Sequence, residues 1–316
     1  MDVMTLAFTF PGQGSQAVAM GQSLYDELPA ARAVFEEVDE ALGEKLSALI
    51  FEGPEETLRL TANAQPALMA VSLAAMRALE AEGFGVDRAA MVAGHSLGEY
   101  SALAAAGALS ISDAARLLRL RGEAMQAAVP AGEGAMAALL GLDLEAVDEV
   151  SAAVGNAGVC EIANDNAPGQ VVISGAAAAV GEAVEIAKAR GARRAVLLPV
   201  SAPFHCSLMG PAATVMAEAL SAATINAPSV PLMANVSASL LTDPAAIRDS
   251  LVAQVTGRVR WRESVTAMAA AGVDRVIEVG AGKVLTGLAR RIDKALAAEA
   301  VNTADDVKAL AAKDEN

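Results

Sequence analysis

Residues 91–100 read Met91-Val92-Ala93-Gly94-His95-Ser96-Leu97-Gly98-Glu99-Tyr100, a short apolar run that ends in Gly-X-Ser-X-Gly. A helix-prone, Ala-rich segment from Ser101 to Ala108 follows at once. Strand, sharp turn and helix in this order are typical of a nucleophile elbow, with Ser96 at the tip of a strained turn. An ordinary Gly-rich connection between a strand and a helix has the same pattern, so other segments must decide between the two interpretations.

Strands and helices alternate in the first part of the chain, which indicates an α/β fold. We predict strands over residues 5–10 and 90–93 and helices over residues 30–42, 66–81 and 112–128. Such alternation predicts a mainly parallel, hydrolase-like sheet flanked by helices, with sites at the carboxyl ends of its strands. Gln13 and Ser96 both lie just past a predicted strand end.

Composition excludes several classes of protein. A net charge of -15 argues against a nucleic-acid binder. Two long uncharged runs, residues 195–217 and 219–242, are broken by prolines, so we expect no membrane span. Asp2 and the lack of a basic N-terminal segment argue against a secretory signal. Two cysteines, Cys160 and Cys206, predict neither a disulfide framework nor a metal site, and they fit a reducing cytoplasm.

Arg121 stands out within the predicted helix 112–128, which we expect to begin at Ser112 or Asp113. Spacing residues at 100° places Arg121 in the middle of the apolar face. A buried guanidinium without an anionic partner is unfavourable, so Arg121 should face a protein carboxylate or a ligand anion. A structural ion pair, or extension of the side chain to the surface, would also explain it.

The segment after Pro130 changes in character. Its predicted elements follow the order β-α-β-β-α-β, with strands at 135–140, 159–163, 171–174 and 195–200 and helices at 144–154 and 176–189. This order predicts an inserted ferredoxin-like domain over residues 131–199, with residues 1–130 and 200–316 forming the large domain. The large domain would add helices at 211–222, 245–254 and 261–271 and a strand at 274–279. Beyond Ala295 we expect a polar, poorly anchored tail.

A serine nucleophile needs a base, and the chain has only two histidines. His95 is adjacent to Ser96, and neighbouring side chains on an extended segment point in opposite directions. His205 is therefore the candidate base, although a structural histidine is an alternative. Cys206 follows it and is predicted to be a small buried residue. No acidic residue is a clear partner for the histidine, which leaves room for a backbone carbonyl in that role.

Several segments together resemble one family, the malonyl-CoA:acyl-carrier-protein transacylases. The matching segments are residues 10–16 (Phe-Pro-Gly-Gln-Gly-Ser-Gln), 94–100 (Gly-His-Ser-Leu-Gly-Glu-Tyr), 121–126 (Arg-Gly-Glu-Ala-Met-Gln), 172–175 (Val-Ile-Ser-Gly), 201–205 (Ser-Ala-Pro-Phe-His), 254–257 (Gln-Val-Thr-Gly) and 282–288 (Gly-Lys-Val-Leu-Thr-Gly-Leu). They occur in the family's order and cover nearly the whole chain.

The resemblance implies transfer of a malonyl group from malonyl-CoA to the phosphopantetheine thiol of acyl carrier protein through an ester on Ser96. It implies His205 as general base and acid, and the backbone N–H groups of Gln13 and Leu97 as the oxyanion hole. It further implies that the carbonyl of Gln254 holds His205, that Arg121 pairs with the malonyl carboxylate, and that Phe204 restricts substituents at the α-carbon. No cofactor and no metal are called for.

Two other functions share the same residues. A serine esterase or thioesterase would use Ser96 and His205 but would give Arg121 no purpose, and a silent carrier-binding scaffold would use neither. We expect a monomer that docks its carrier on a local basic patch, despite the net negative charge. The candidate cations are Arg190, Arg193, Arg194, Arg258 and Arg260.

Overall fold

The computed structural model of the chain describes residues 5–314. Asp2, on which the expectation of no secretory signal rests, lies outside this range. The strands in this range are β1 Leu6–Phe10, β2 Ala89–Gly94, β3 Gly134–Leu140, β4 Cys160–Ala167, β5 Gln170–Ala176, β6 Arg194–Leu197, β7 Leu232–Met233, β8 Leu240–Leu241, β9 Arg275–Val279 and β10 Ala297–Val301.

The α-helices in the same range follow these strands singly or in groups. They are α1 Gln22–Glu27, α2 Pro29–Leu42, α3 Leu46–Glu52, α4 Glu55–Arg59, α5 Thr61–Ala81, α6 Gly98–Ala105, α7 Ile111–Ala127, α8 Leu144–Ala153, α9 Ala177–Ala189, α10 Gly210–Ala222, α11 Pro244–Thr256, α12 Trp261–Ala270, α13 Val284–Ile292 and α14 Ala304–Asp314. None of the helices in the described range is long and apolar enough to cross a membrane.

The larger sheet has the strand order β10-β9-β1-β2-β7-β8, and only the pairing of β8 with β7 is antiparallel. All five residues of β1 are buried, because helices cover both faces. Phe8 packs with the cluster of α2, α5 and α7, whereas Ala7 packs with that of α12 and α13. Continuous apolar strands are typical of such covered parallel sheets, and the predicted fold class is confirmed.

The second sheet is antiparallel, with the order β4-β5-β3-β6. Its strands and the helices α8 and α9 follow each other in the predicted β-α-β-β-α-β order, and they share a core of their own. The last strand is shorter than predicted, since β6 ends at Leu197 and Pro199 follows. The bounds 131–199 for an inserted domain remain our proposal.

The prediction of a poorly anchored tail after Ala295 is wrong. Strand β10 adds to the edge of the larger sheet by parallel pairing with β9. Helix α14 then buries Ala304 and packs Val307 and Leu310 into the main core. The segment looks polar because α14 exposes its other face, where Asp305 and Lys308 lie.

Two helix starts also differ from the predictions. Helix α7 is capped by Ser110, whose Oγ accepts from the N–H of Asp113, and not by Ser112 or Asp113. Helix α5 begins at Thr61, five residues before the predicted start at Pro66. Proline is commonest in the first turn of a helix, so its presence moved the prediction too far along the chain. The short helices α1, α3 and α4 and helix α13 were not predicted.

Candidate active site

Ser96 lies on a tight turn between β2 and α6, with a left-handed backbone (φ 53°). The flanking glycines are required by close backbone contacts. A Cβ at Gly94 would lie 1.9 Å from the backbone of Gly98, and a Cβ at Gly98 would lie 2.3 Å from the carbonyl oxygen of Phe10. The turn is therefore a nucleophile elbow in geometry and not an ordinary Gly-rich connection.

His205 reaches Ser96 across 109 positions of sequence. Its Nε2 lies 2.7 Å from Ser96 Oγ, and its Nδ1 lies 2.9 Å from the backbone carbonyl oxygen of Gln254. The carbonyl acceptor places the proton on Nδ1 and leaves Nε2 free to take one from the hydroxyl. Burial, followed by the charge of Arg121, lowers the pKa of His205 to about 3. The imidazole is thus neutral at neutral pH, as a base must be.

Arg121 is buried beside Ser96, with 1% of its surface exposed. Its Nη1 donates to Gln65 Oε1 (2.7 Å), and its Nη2 donates to Gln254 Oε1 (2.8 Å) and Ser96 Oγ (3.1 Å). Within residues 5–314, no carboxylate oxygen lies within 4.0 Å of the guanidinium. A structural ion pair and extension to the surface, the two alternative interpretations, both disagree with this geometry. The site holds a buried cation whose protein partners are all neutral.

Gln13 and Leu97 offer two backbone donors at the carboxyl edge of the sheet. Gln13 follows β1, and Leu97 follows Ser96. Across the described residues, neither backbone N–H has an acceptor in the protein. Both residues line the cleft next to Ser96, so the two N–H groups are available to a ligand oxygen.

The cleft in front of Ser96 has a volume of about 400 Å³ and is lined by residues that surround both sheets. Met136 comes from β3, and Leu198 and Val200 follow β6, so the small sheet forms one wall. Phe204 lines the cleft beside His205 and is 7% exposed. These apolar side chains surround the polar groups of Ser96, Arg121 and His205.

The two other residues considered near the site, His95 and Cys206, are held by contacts within the fold. His95 turns away from the hydroxyl, because its Nε2 lies 2.8 Å from Asn166 Oδ1 and its ring packs against Trp261. Cys206 is buried, its thiol donates to the carbonyl of Pro203 (3.1 Å), and burial raises its pKa. Among the residues that the structure describes, no cluster of three or more His, Cys, Asp or Glu side chains is placed to hold a metal ion.

Three of the five arginines expected to form a carrier-docking patch are occupied by ion pairs. Arg190 pairs with Glu149 (2.6 Å), and Arg258 and Arg260 both pair with Glu263. Arg193 and Arg194 are exposed where the chain enters β6. These two are the cations of the set that remain most suited to meet an acidic partner.

Sequence reasoning missed three polar residues around Ser96. Gln65 is buried in α5, Glu99 is buried in α6, and Asn235 follows β7. Each is a polar residue inside a strongly apolar segment, and that contrast could have drawn attention to them. Asn235 Oδ1 accepts from the N–H of Ser96 at 2.7 Å, which fixes the strained turn.

Comparison with known proteins gives one consistent set of relatives. The family model described as acyl transferase domain matches residues 7–309. The chain is 50% identical over 304 residues to the malonyl CoA-acyl carrier protein transacylase of Bacillus subtilis, covering 96% of this chain and 95% of that protein.

Solved structures give the same result. The acyl-carrier-protein-S-malonyltransferase of Bartonella henselae is 60% identical with a TM-score of 0.95, covering 97% of this chain and 98% of that one. A malonyl-transacylase solved in complex with a type II PKS acyl-carrier protein is 42% identical with a TM-score of 0.94, covering 99% of this chain and 100% of that one.

Proposed function

The chain belongs to the acyl transferase domain family, among the malonyl-CoA:acyl-carrier-protein transacylases, and from this we propose that Ser96 carries the malonyl group between coenzyme A and the carrier thiol. The observation that carries the proposal is the hydrogen bond from Ser96 to a neutral, buried His205. A neutral base within 2.7 Å of the hydroxyl can activate it for attack on a thioester.

In the first half-reaction, Ser96 Oγ attacks the thioester carbonyl carbon of malonyl-CoA while His205 Nε2 takes the hydroxyl proton. The N–H groups of Gln13 and Leu97 stabilise the oxyanion of the tetrahedral intermediate. The C–S bond then breaks, and His205 returns the proton to the sulfur of coenzyme A. The carbonyl of Gln254 supports the imidazolium that forms between these steps.

In the second half-reaction, the phosphopantetheine thiol of the carrier gives its proton to His205 and attacks the malonyl ester. The bond to Ser96 Oγ breaks, and the serine recovers the proton from His205. The related complex between a malonyl-transacylase and an acyl-carrier protein supports a carrier as the acceptor. Because the thioester brings its own activation, these steps require no cofactor.

Arg121 is the proposed partner of the malonyl carboxylate, and Phe204 the side chain that limits substituents at the α-carbon. The guanidinium is desolvated, adjacent to Ser96 Oγ and free of protein carboxylates in the described residues, so an anionic acyl group would complete its pairing. We propose the cytoplasm as the location, in keeping with the two free cysteines of the described chain.

The test is to mix the protein with malonyl-CoA and follow its intact mass, with and without carrier. We expect a malonyl adduct that is absent in Ser96→Ala and that disappears from the wild type when holo-carrier is added, with malonyl-carrier as product. Loss of the adduct to free malonate at the same rate without carrier would identify a thioesterase. Absence of any adduct would indicate a carrier-binding scaffold.

A further inference from the structure

A second buried charge lies next to the proposed nucleophile. Glu99 is the second residue of α6, and its surface is fully buried. Within the described range, no lysine or arginine nitrogen comes within 4.0 Å of its carboxylate. A buried carboxylate without a direct cationic partner must be held by hydrogen bonds, and those bonds lead to the reacting groups.

The two oxygens of Glu99 contact the two residues that hold the elbow. Oε1 accepts from the backbone N–H of Asn235 (3.1 Å), and Oε2 accepts from Gln254 Nε2. The side-chain amide of Asn235 in turn accepts from the N–H of Ser96 and donates to the carbonyl oxygen of Gly94, both at 2.7 Å. Glu99 therefore lies directly behind the turn that presents Ser96.

The contact with Gln254 determines the direction of an amide. Gln254 Nε2 donates to Glu99 and to the carbonyl oxygen of Ser96 (2.9 Å), which leaves Oε1 to accept from Arg121. An ionised carboxylate can only accept, so the reversed amide would face Glu99 with an oxygen and Arg121 with an N–H. Both reversed contacts are repulsive, and the observed orientation follows from the acceptor at position 99.

We propose that Glu99 is a positioning residue whose carboxylate fixes the amide of Gln254 and thereby aims the Arg121 guanidinium at the acyl group on Ser96. The inference rests on the proposed function, because it assigns Glu99 to the selection of a malonyl group at that site. Glu99 thereby becomes part of the site without touching the substrate.

The burial of Glu99 limits this role to its ionised form. Burial raises its pKa to about 7, against hydrogen bonds and the charge of Arg121 that lower it, so the side chain is ionised and only accepts above neutral pH. A glutamine would fill the same volume without the unfavourable desolvation of a charge. Above that pH the position uses the one property that glutamine lacks, which is that both oxygens of its side chain are acceptors.

A purely electrostatic role predicts the opposite result for the same substitution. Glu99→Gln removes a negative charge near Arg121, which by itself would strengthen the attraction of Arg121 for a malonyl carboxylate. It also places an N–H of the new glutamine against Gln254 or Asn235. The side-chain amide of Gln254 is then reversed or displaced, and Arg121 loses Gln254 Oε1 as an acceptor. The selectivity for malonyl over acetyl groups rises in the first case and falls in the second.

The experiment measures acylation of Ser96 by malonyl-CoA and by acetyl-CoA in single-turnover at about pH 8, where Glu99 is mostly ionised, and follows it by intact mass. We expect the malonyl-to-acetyl ratio of Glu99→Gln to fall about tenfold, as for the loss of one hydrogen bond to a charged group. The matched control is Glu278→Gln, another fully buried glutamate, which accepts from the backbone of Leu285 and Thr286. This control should lose stability and keep the ratio.

An unchanged or raised malonyl-to-acetyl ratio in Glu99→Gln would overturn the inference. So would an equal fall of the ratio in Glu99→Gln and Glu278→Gln. A ratio that falls further when Glu99→Gln is added to Gln254→Leu would also overturn it. If Glu99→Gln does not fold, Glu99→Asp replaces it, since its carboxylate lies one methylene short of Gln254 and should lower the ratio by less. An unchanged ratio in Glu99→Asp would again overturn the inference. A wild type that forms no malonyl adduct would contradict the proposed function itself.

Discussion

Arg121 shows how one residue acquires its chemistry from neighbours that are remote in sequence. The helical spacing of α7 places it inward, between Leu118 and Met125 on the buried face. Besides Ser96 Oγ, its acceptors are the side-chain amides of Gln65 in α5 and Gln254 in α11. The spacing could predict the burial of Arg121, but only the packing of three helices gives it neutral hydrogen-bond partners.

Replacement of Arg121 should therefore affect selectivity more than reactivity. Arg121→Ala removes the partner of a desolvated carboxylate, which typically costs about 3 kcal/mol or more, or roughly a hundredfold in rate. We expect that loss with malonyl-CoA and a much smaller one with acetyl-CoA, measured as acylation rates of Ser96. Arg116→Ala, at an exposed position of the same helix, is the control and should change neither rate. Equal losses with both substrates would refute the role of Arg121.

His205 gives a prediction about stability and pH. Its pKa is about 3 in the folded protein, against 6.5 for the free side chain. Below pH 6.5 the unfolded chain therefore binds a proton that the folded site refuses, and stability falls as the pH falls towards 3. At about 1.4 kcal/mol per pH unit, the loss at pH 5 is about 2 kcal/mol.

The variant His205→Asn should lack this loss, because its amide can still donate to the carbonyl of Gln254 but does not titrate. Urea unfolding at pH 7 and pH 5 is expected to show a drop in the free energy of unfolding that is about 2 kcal/mol larger for the wild type. His95 is present in both proteins, so its contribution cancels. An equal decrease in the free energy of unfolding of wild type and His205→Asn would mean that the fold does not hold His205 neutral.

At the scale of elements, β10 and α14 show where sequence patterns fail. The strand Ala297–Val301 contains a glutamate and three alanines, and it pairs only at the sheet edge, so its pattern is weak. Helix α14 buries one narrow stripe of small and medium side chains, and its other residues are aspartate, lysine and alanine. Strong apolar runs such as β1 could be predicted because both of their faces are buried.

Leu310 tests whether α14 is part of the core. It is 2% exposed, and truncation of such a leucine typically lowers the free energy of unfolding by about 2 to 5 kcal/mol. We expect a loss of that size for Leu310→Ala in urea unfolding. Lys308→Ala on the exposed side of α14 breaks only a surface pair with Glu27 and should leave the free energy of unfolding nearly unchanged. Similar stabilities for wild type and Leu310→Ala would contradict the docking of this helix.

At the scale of the whole molecule, the candidate site depends on contacts between distant segments. Gln13 and Ser96 could be predicted as neighbours, because both follow strands of one parallel sheet. The pairing of His205 with Ser96 could be inferred only from the scarcity of histidine and from the resemblance. The network through Gln65, Glu99 and Asn235 could not be predicted, since amides and a lone acid have no sequence spacing that reveals their partners.

Carrier docking is also a property of the whole surface, because the protein carries a net charge of -15. An acidic carrier is repelled at long range, so it needs exposed cations near the cleft. Arg193 and Arg194 are exposed at the start of β6, and the same segment continues to Leu198 and Val200 in the cleft wall. Because the other three candidate arginines are in ion pairs, these two are the cations of the set to test.

We expect the double variant Arg193→Glu/Arg194→Glu to raise the KM for the carrier about tenfold or more and to flatten its dependence on salt, since docking cations act through screened charges. Acylation by malonyl-CoA should stay at the wild-type rate, because neither arginine lines the cleft. Arg116→Glu, a charge reversal on α7, is the matched control and should leave the KM for the carrier unchanged. An unchanged KM and salt dependence in the double variant would place the docking surface elsewhere on the molecule.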